Sequence, residues 1–199
     1  MKKILIILLA VLCIPVSSFA ISLSTLENNP QRYEDLGGST GIELYLDYNS
    51  VQSLVYNPPY YRMKVKVYGV VYNQLICAYS CVLDYDYYYS TKSTASRIIA
   101  DMNENNEPLD EDVCRERLDR SIRENTGIEL TMEPLAVWTT RGKLISNNRK
   151  YLRTTGNEFS TIIGFGNVLD QTRSVELGTA AYYIAQYTFK SYYNQFFLS

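Results

Sequence analysis

Between residues 62 and 90 the side chains alternate so strictly that the segment can be little other than a β-hairpin with one greasy and one polar face. Met63, Val65, Val67 and Val71 fall on one side, with Arg62, Lys64, Lys66, Tyr68 and Tyr72 on the other. Beyond Asn73-Gln74 the pattern resumes: Leu75, Cys77, Tyr79, Cys81, Leu83, Tyr85 and Tyr87 alternate with Ser80, Asp84, Asp86 and Ser90. A period of two is that of a half-buried strand. Opposed residues share a face, so the two apolar rows meet only if paired positions sum to an even number. A two-residue loop at Asn73-Gln74 would set valines against serine and aspartate. The pattern therefore predicts a loop of three or five residues with a bulge, and places Lys64 and Lys66 across or diagonal from Asp84 and Asp86.

Extended back to Tyr56, the run to Ser90 carries ten of the 19 tyrosines. Tyr79, Tyr85 and Tyr87 share the apolar row and read as core or core-rim residues, each able to bury about 150–250 Å². Tyr56, Tyr60, Tyr68, Tyr72 and Tyr88 stand on the polar face unless something covers them. Tyr56-Asn57-Pro58-Pro59-Tyr60 enters the strand through a stiff, extended Pro-Pro step. An aromatic row beside prolines makes Tyr56, Pro58, Pro59, Tyr60 and Tyr61 candidate binding residues for a sugar or peptide. The alternative is that another segment of the chain packs over them.

Elsewhere, Ile42, Leu44 and Leu46 alternate in a short strand after the Gly37-Gly38 turn, and Asp47-Tyr48-Asn49-Ser50 reads as the next turn. Asn103 to Pro108 is a polar loop. A helix is predicted over 110–125, acidic in its first turn and basic later, in keeping with the helix dipole. Its Cys114, Leu118 and Ile122 recur every four residues, which points Cys114 at the sheet. Strands are expected over 128–138, 142–145 and 159–165, the last with Gly164 and Gly166 as a bend or bulge. A long C-terminal helix spans 174–197, apolar nearly all round except for a stripe of Gln186, Lys190 and Asn194. The words Thr40-Gly41-Ile42-Glu43-Leu44 and Thr126-Gly127-Ile128-Glu129-Leu130 are identical and fit two loop-to-strand junctions. Together these give an α+β fold: a curved antiparallel β-sheet packed against a middle helix and a long C-terminal helix, in one domain over 21–199.

Residues 1–20 read as a bacterial export signal, with Lys2 and Lys3, an apolar run from Ile4 to Val16, and Ser18-Phe19-Ala20 before the cut. The run is too short to span a bilayer, which needs roughly 20 residues, and no transmembrane segment is expected after cleavage. A lipid anchor on Cys13 is the rival, set back by Leu12 where a small residue is wanted. Without Lys2 and Lys3 the chain carries 17 basic and 21 acidic residues, a net of −4. An acidic exported chain is a poor partner for nucleic acid, whose phosphates require a basic face. Cys77, Cys81 and Cys114 remain in an oxidising compartment. Cys77 and Cys81 lie roughly 13 Å apart along one strand at about 3.3 Å per residue, so any disulfide pairs Cys114 with Cys77 or Cys81.

The chain has no histidine, which removes His-assisted nucleophiles, histidine metal sites and imidazole acid–base chemistry. Gly37-Gly38-Ser39-Thr40-Gly41 matches the letters of a hydrolase elbow, but a strand follows where a helix is needed. Asp84 and Asp86 share a strand face about 7 Å apart, within the separation of inverting glycosidases, and leave a histidine-free hydrolase as an alternative. Asp101, Asn103, Asn105 and Glu107 resemble a calcium loop without its central glycine. No cofactor is expected. Arg141, Lys143, Arg149, Lys150 and Arg153 form a basic stretch suited to an anionic polysaccharide or lipid headgroup, or to a solvated edge guarded by charge.

An export signal, then Asp35-Leu36-Gly37, the strand Tyr45-Leu46-Asp47-Tyr48-Asn49-Ser50-Val51 and a long Lys/Val/Tyr strand resemble small exported bacterial proteins of the surface-adhesin protein E-like type, and Tyr56-Asn57-Pro58-Pro59-Tyr60-Tyr61 with the aromatic tail from Tyr182 to Phe197 is similar to an uncharacterised relative of that type. Tyr33 stands where such proteins often carry tryptophan. The resemblance implies an antiparallel sheet with packed helices and a non-enzymatic envelope role. The expectation is thus an exported periplasmic, surface or secreted binding module, whose partner is an envelope protein, a polysaccharide or a host-surface ligand. A structural subunit of an envelope complex is a further alternative.

Overall fold

The computed structural model describes residues 20–39, 41–148, 152 and 171–198. In chain order its elements are α1 (Leu23–Glu27), β1 (Tyr33–Ser39), β2 (Ile42–Asn57), β3 (Tyr60–Val71) and β4 (Leu75–Asp86), followed by a 3-10 turn at Tyr87–Tyr89. Then come α2 (Thr91–Glu104), α3 (Glu111–Glu124), β5 (Ile128–Thr139), β6 (Leu144–Ser146), β7 (Arg173–Ser174) and α4 (Ala180–Tyr193). Strands β1 to β6 lie in sequence order in one antiparallel sheet, with β7 also on β5. The fold is α+β with a curved sheet, as the sequence pattern requires. The export signal, Arg149, Lys150, Arg153 and the strand expected over 159–165 lie outside the described residues.

The hairpin has the register that its two rows demand. Met63 pairs with Leu83, Val65 with Cys81 and Val67 with Tyr79. The loop has three residues, with Tyr72 and Asn73 left-handed and Gln74 N–H donating to Val71 O at 2.9 Å. No bulge interrupts this ladder from Tyr60↔Asp86 to Val71↔Leu75. Bulges fall instead in neighbouring strands, two of them in β2.

One of those bulges replaces the turn expected at 47–50. Asp47 is buried, and its carboxylate takes two hydrogen bonds from Arg32, both at 3.0 Å, and one from Asn49 N–H at 3.1 Å. The Ser50 hydroxyl donates to Asp47 O and accepts from Lys66 N–H, each at 2.7 Å. Asp, Asn and Ser satisfy backbone groups locally in a bulge as readily as in a turn. The strand therefore runs on to Asn57 and reverses at Pro58-Pro59, so those prolines form a hairpin turn with a cis peptide between them rather than an extended lead-in.

The apolar rows of β2 to β5 form the main core with Ile184, Ala185 and Phe189 of α4. Tyr85 donates its hydroxyl to Ala185 O at 2.8 Å. A second cluster lies on the opposite face, where Ile21 and Leu26 cover Tyr33, Tyr45, Tyr68, Ile76 and Trp138. Gly41 and Gly127, in the two identical words, both have positive φ and immediately precede β2 and β5.

Three helix expectations change. The middle helix, α3, buries no side chain and pairs with α2, a helix beyond the two expected. Cys114 therefore faces Met102 of α2, Sγ to Sδ 3.5 Å, instead of the sheet. None of the three described cysteines is in a disulfide, so the bridge from Cys114 to Cys77 or Cys81 is not formed. The C-terminal helix is shorter than 174–197: Thr179 caps its start and left-handed Asn194 ends it. Gln186, expected on a solvent stripe, is buried, and its Oε1 accepts from Phe197 N–H at 2.9 Å and Leu198 N–H at 3.3 Å.

Candidate functional site

The tip of the β2–β3 hairpin is where the sheet leaves its cover. Every residue from Leu54 to Tyr60 is exposed, Tyr56 to 68% and Tyr60 to 55%. The tip is held from beneath by Tyr61. Its ring stands 5.6 Å from Tyr56, 5.5 Å from Phe189 and 5.5 Å from Tyr193, all edge-on, which is the favoured geometry for ring quadrupoles. The Ser53 hydroxyl lies 3.2 Å from that of Tyr193. Burial raises the pKa of the Tyr61 phenol, helped by the neighbouring phenols of Tyr56, Tyr193 and Tyr87. Tyr61 is therefore an anchor between tip and core rather than part of an open platform.

Tyr56 and Tyr60 also do not form a single row. Tyr56 pairs with Tyr61 and Asn57 with Tyr60, and cross-strand partners share a face. The bulge between Ser53 and Val55 reverses the parity of β2, so Tyr56 continues the α4 side and Tyr60 the opposite side. Between them Pro58 and Pro59 cap the tip, both exposed.

Tyr60 opens onto a hollow of about 320 Å³ lined also by Asp84, Asp86, Tyr89 and Glu129. Both candidate acids are held there by structural contacts. Asp84 takes two hydrogen bonds from Arg62, at 2.6 and 3.2 Å. Asp86 caps the 3-10 turn, accepting from Tyr88 N–H at 3.0 Å. Glu129 and Arg62, which the sequence pattern does not mark as site residues, are the direct strand partners of Asp84, and only the complete register brings them together.

The basic stretch lies elsewhere. Arg141 and Lys143 are exposed in the turn after β5, where Thr139 pairs with Leu75 and Leu75 with Val71. The aromatic tip sits at the other end of β3, eleven residues or roughly 35 Å away at about 3.3 Å per residue. Arg141 and Lys143 therefore do not reinforce the Tyr56–Tyr61 corner.

The remaining motifs have structural explanations. Gly38 lies in the β1–β2 hairpin, where an added Cβ would come within 1.6 Å of Ile42 O, so close approach requires glycine. The calcium-like letters fall at the end of α2, where Asn105 Nδ2 donates to Asp101 O at 2.9 Å and Glu107 pairs with Arg117. Cys81 is wholly enclosed and burial pushes its thiol up to about 12, far from the thiolate that nucleophilic chemistry needs.

Comparison with protein-family models, with curated proteins and with solved structures returned no match for this chain. Among the described residues no helix is long and apolar enough to cross a membrane.

Proposed function

We propose that this is a non-catalytic binding module of the cell envelope or cell surface, which engages sugar rings or peptide side chains at the β2–β3 tip. The observation that carries this reading is a run of seven consecutive exposed residues, Leu54 to Tyr60, that includes two tyrosines and two prolines. A flexible, polar tip would cost nothing to solvate. This one instead displays apolar surface on a turn stiffened by two prolines and braced by Tyr61. Rigid aromatics lose little conformational entropy on binding, which makes them efficient contacts. The resemblance to surface-adhesin protein E and the export-type leader agree with an envelope location. The hydrolase reading draws little support, because Asp84 and Asp86 are each committed to a structural contact.

The test is a double variant, Tyr56→Ala with Tyr60→Ala, leaving the anchoring Tyr61 intact. Pull-downs with cell-wall polysaccharide and with envelope-protein extract should lose a ligand that the unaltered chain retains, with the melting temperature unchanged. Equal recovery of every ligand by both proteins sinks the reading.

A further inference from the structure

On the face turned away from α4, midway along β2, β3 and β4, lies a second hollow of about 370 Å³. Three of the side chains lining it are cationic, Arg32, Lys64 and Lys66, against one acid, Asp47. That acid is already engaged, since both its oxygens are held by Arg32 at 3.0 Å. Lys64 and Lys66 have no ion-pair partner among the described residues. In a chain of net charge −2 this is a local concentration of positive charge.

Ser80, opposite Lys66 on β4, also lines the hollow, and it is only 6% exposed. Its hydroxyl has no hydrogen-bond partner among the described residues. A hydroxyl is both donor and acceptor, so Ser80 can offer a hydrogen bond to a ligand oxygen beside two ammonium groups that no described carboxylate pairs.

We propose that this hollow binds a phosphoryl or sulfuryl ester, with Lys64 Nζ, Lys66 Nζ and the Ser80 hydroxyl as donors to its oxygens. A planar carboxylate is matched best by a guanidinium fork, and the fork of Arg32 is occupied by Asp47. What remains are two point charges on flexible stems and a hydroxyl, an arrangement suited to a tetrahedral oxyanion of charge near −2. The hollow is larger than the oxyanion alone, so it accommodates the sugar or other polar group that carries it. This site lies on a different part of the sheet from the aromatic tip, and neither depends on the other.

The experiment is calorimetric titration of the full chain at low ionic strength with glucose 6-phosphate, inorganic phosphate, sulfate, glucose and acetate. The phosphate and sulfate compounds should bind, and glucose and acetate should not. Lys64→Gln with Lys66→Gln should weaken glucose 6-phosphate by at least about tenfold, the loss of two charge-assisted hydrogen bonds. Ser80→Ala should weaken it by a smaller factor without lowering the ligand-free melting temperature, because it removes one donor to the ligand and a single small oxygen from the fold. Tyr56→Ala with Tyr60→Ala should leave this binding unchanged even if the tip proves inert. Anionic phospholipid vesicles that compete with glucose 6-phosphate would assign the ester to a lipid headgroup, and failure to compete would assign it to a soluble or polymer-borne ester. Absence of phosphate and sulfate binding, undiminished binding in the double lysine variant, or equal binding of acetate overturns the proposal.

Discussion

The two faces of β3 obey the same alternation and end up in different environments. On the α4 side, Met63, Val65, Val67, Gly69 and Val71 are all buried. On the other side Lys64 is exposed and Lys66 half-buried, and full burial begins only at Tyr68. The difference lies in the cover. The α4 helix and the tail after it run under the sheet, whereas α1 with Ile21 reaches only the end where Tyr33, Tyr68 and Trp138 gather. Alternation assigns each residue to a face, but a remote segment decides whether that face is dry. The uncovered half of the second face is where the positive hollow sits, and the uncovered tip is where the aromatic residues stand.

Truncating each cover measures how unequal the two faces are. Phe189 touches Tyr61, Tyr85, Tyr193 and Phe197, so Phe189→Ala should cost about 3–5 kcal/mol in denaturant unfolding. Leu26, the main plug of the smaller cluster, is also fully buried, but it closes a thinner layer that can settle. Leu26→Ala should fall near the lower end of the range for such changes, about 2–3 kcal/mol. A larger loss at Leu26 than at Phe189 would show that the second face, not the first, holds the sheet together.

A smaller effect distinguishes the faces by pH. Burial beneath α4 raises the folded-state pKa of Cys81 from 9.0 to about 12. Its neutral thiol therefore contributes stability that is complete below about pH 9 and is lost as pH rises from 9 toward 12, where the unfolded chain ionises first. Buried phenols such as Tyr85 and Tyr79, raised in the same direction by the same cause, add to this loss above pH 10. Cys81→Ala should show a shallower decline in stability between pH 9 and 10 than the unaltered chain, read from unfolding midpoints. An identical slope would mean that solvent reaches this part of the core.

The parts of this architecture legible in sequence are those where two independent patterns agree. The apolar rows and the opposite charged rows both require an even-sum register for β3–β4, which forms, but the charges meet one pair further along than expected: Arg62 lies across from Asp84, Lys64 across from Val82 and only diagonal to Asp84, and Lys66 faces Ser80, away from both acids. Where one pattern stood alone it misled. The letters Asp-Tyr-Asn-Ser suit a turn and a bulge equally, and only the burial of Asp47 under Arg32 separates them. The Cys114 stripe correctly identified a helix with one greasy side, but periodicity carries no address, and α2 rather than the sheet receives it. The α2 helix has no legible stripe of its own, because Thr91 to Glu104 buries only Thr94 and Met102, too few to mark a face. Tyr56 and Tyr60 stand at a hairpin turn, which a Pro-Pro step does not distinguish from an extended lead-in, and their division between two faces follows from a one-residue slip in β2 that alternation cannot announce.

The buried amide of Gln186 fastens Phe197 against Tyr85 and Phe189. Phe197 thereby bridges one of the longest spans in the chain, to strands made more than a hundred residues earlier. A polypeptide growing from its amino end must leave the underside of its sheet unsealed until synthesis has passed residue 197. The last stretch to be made is thus also the one that closes the main core.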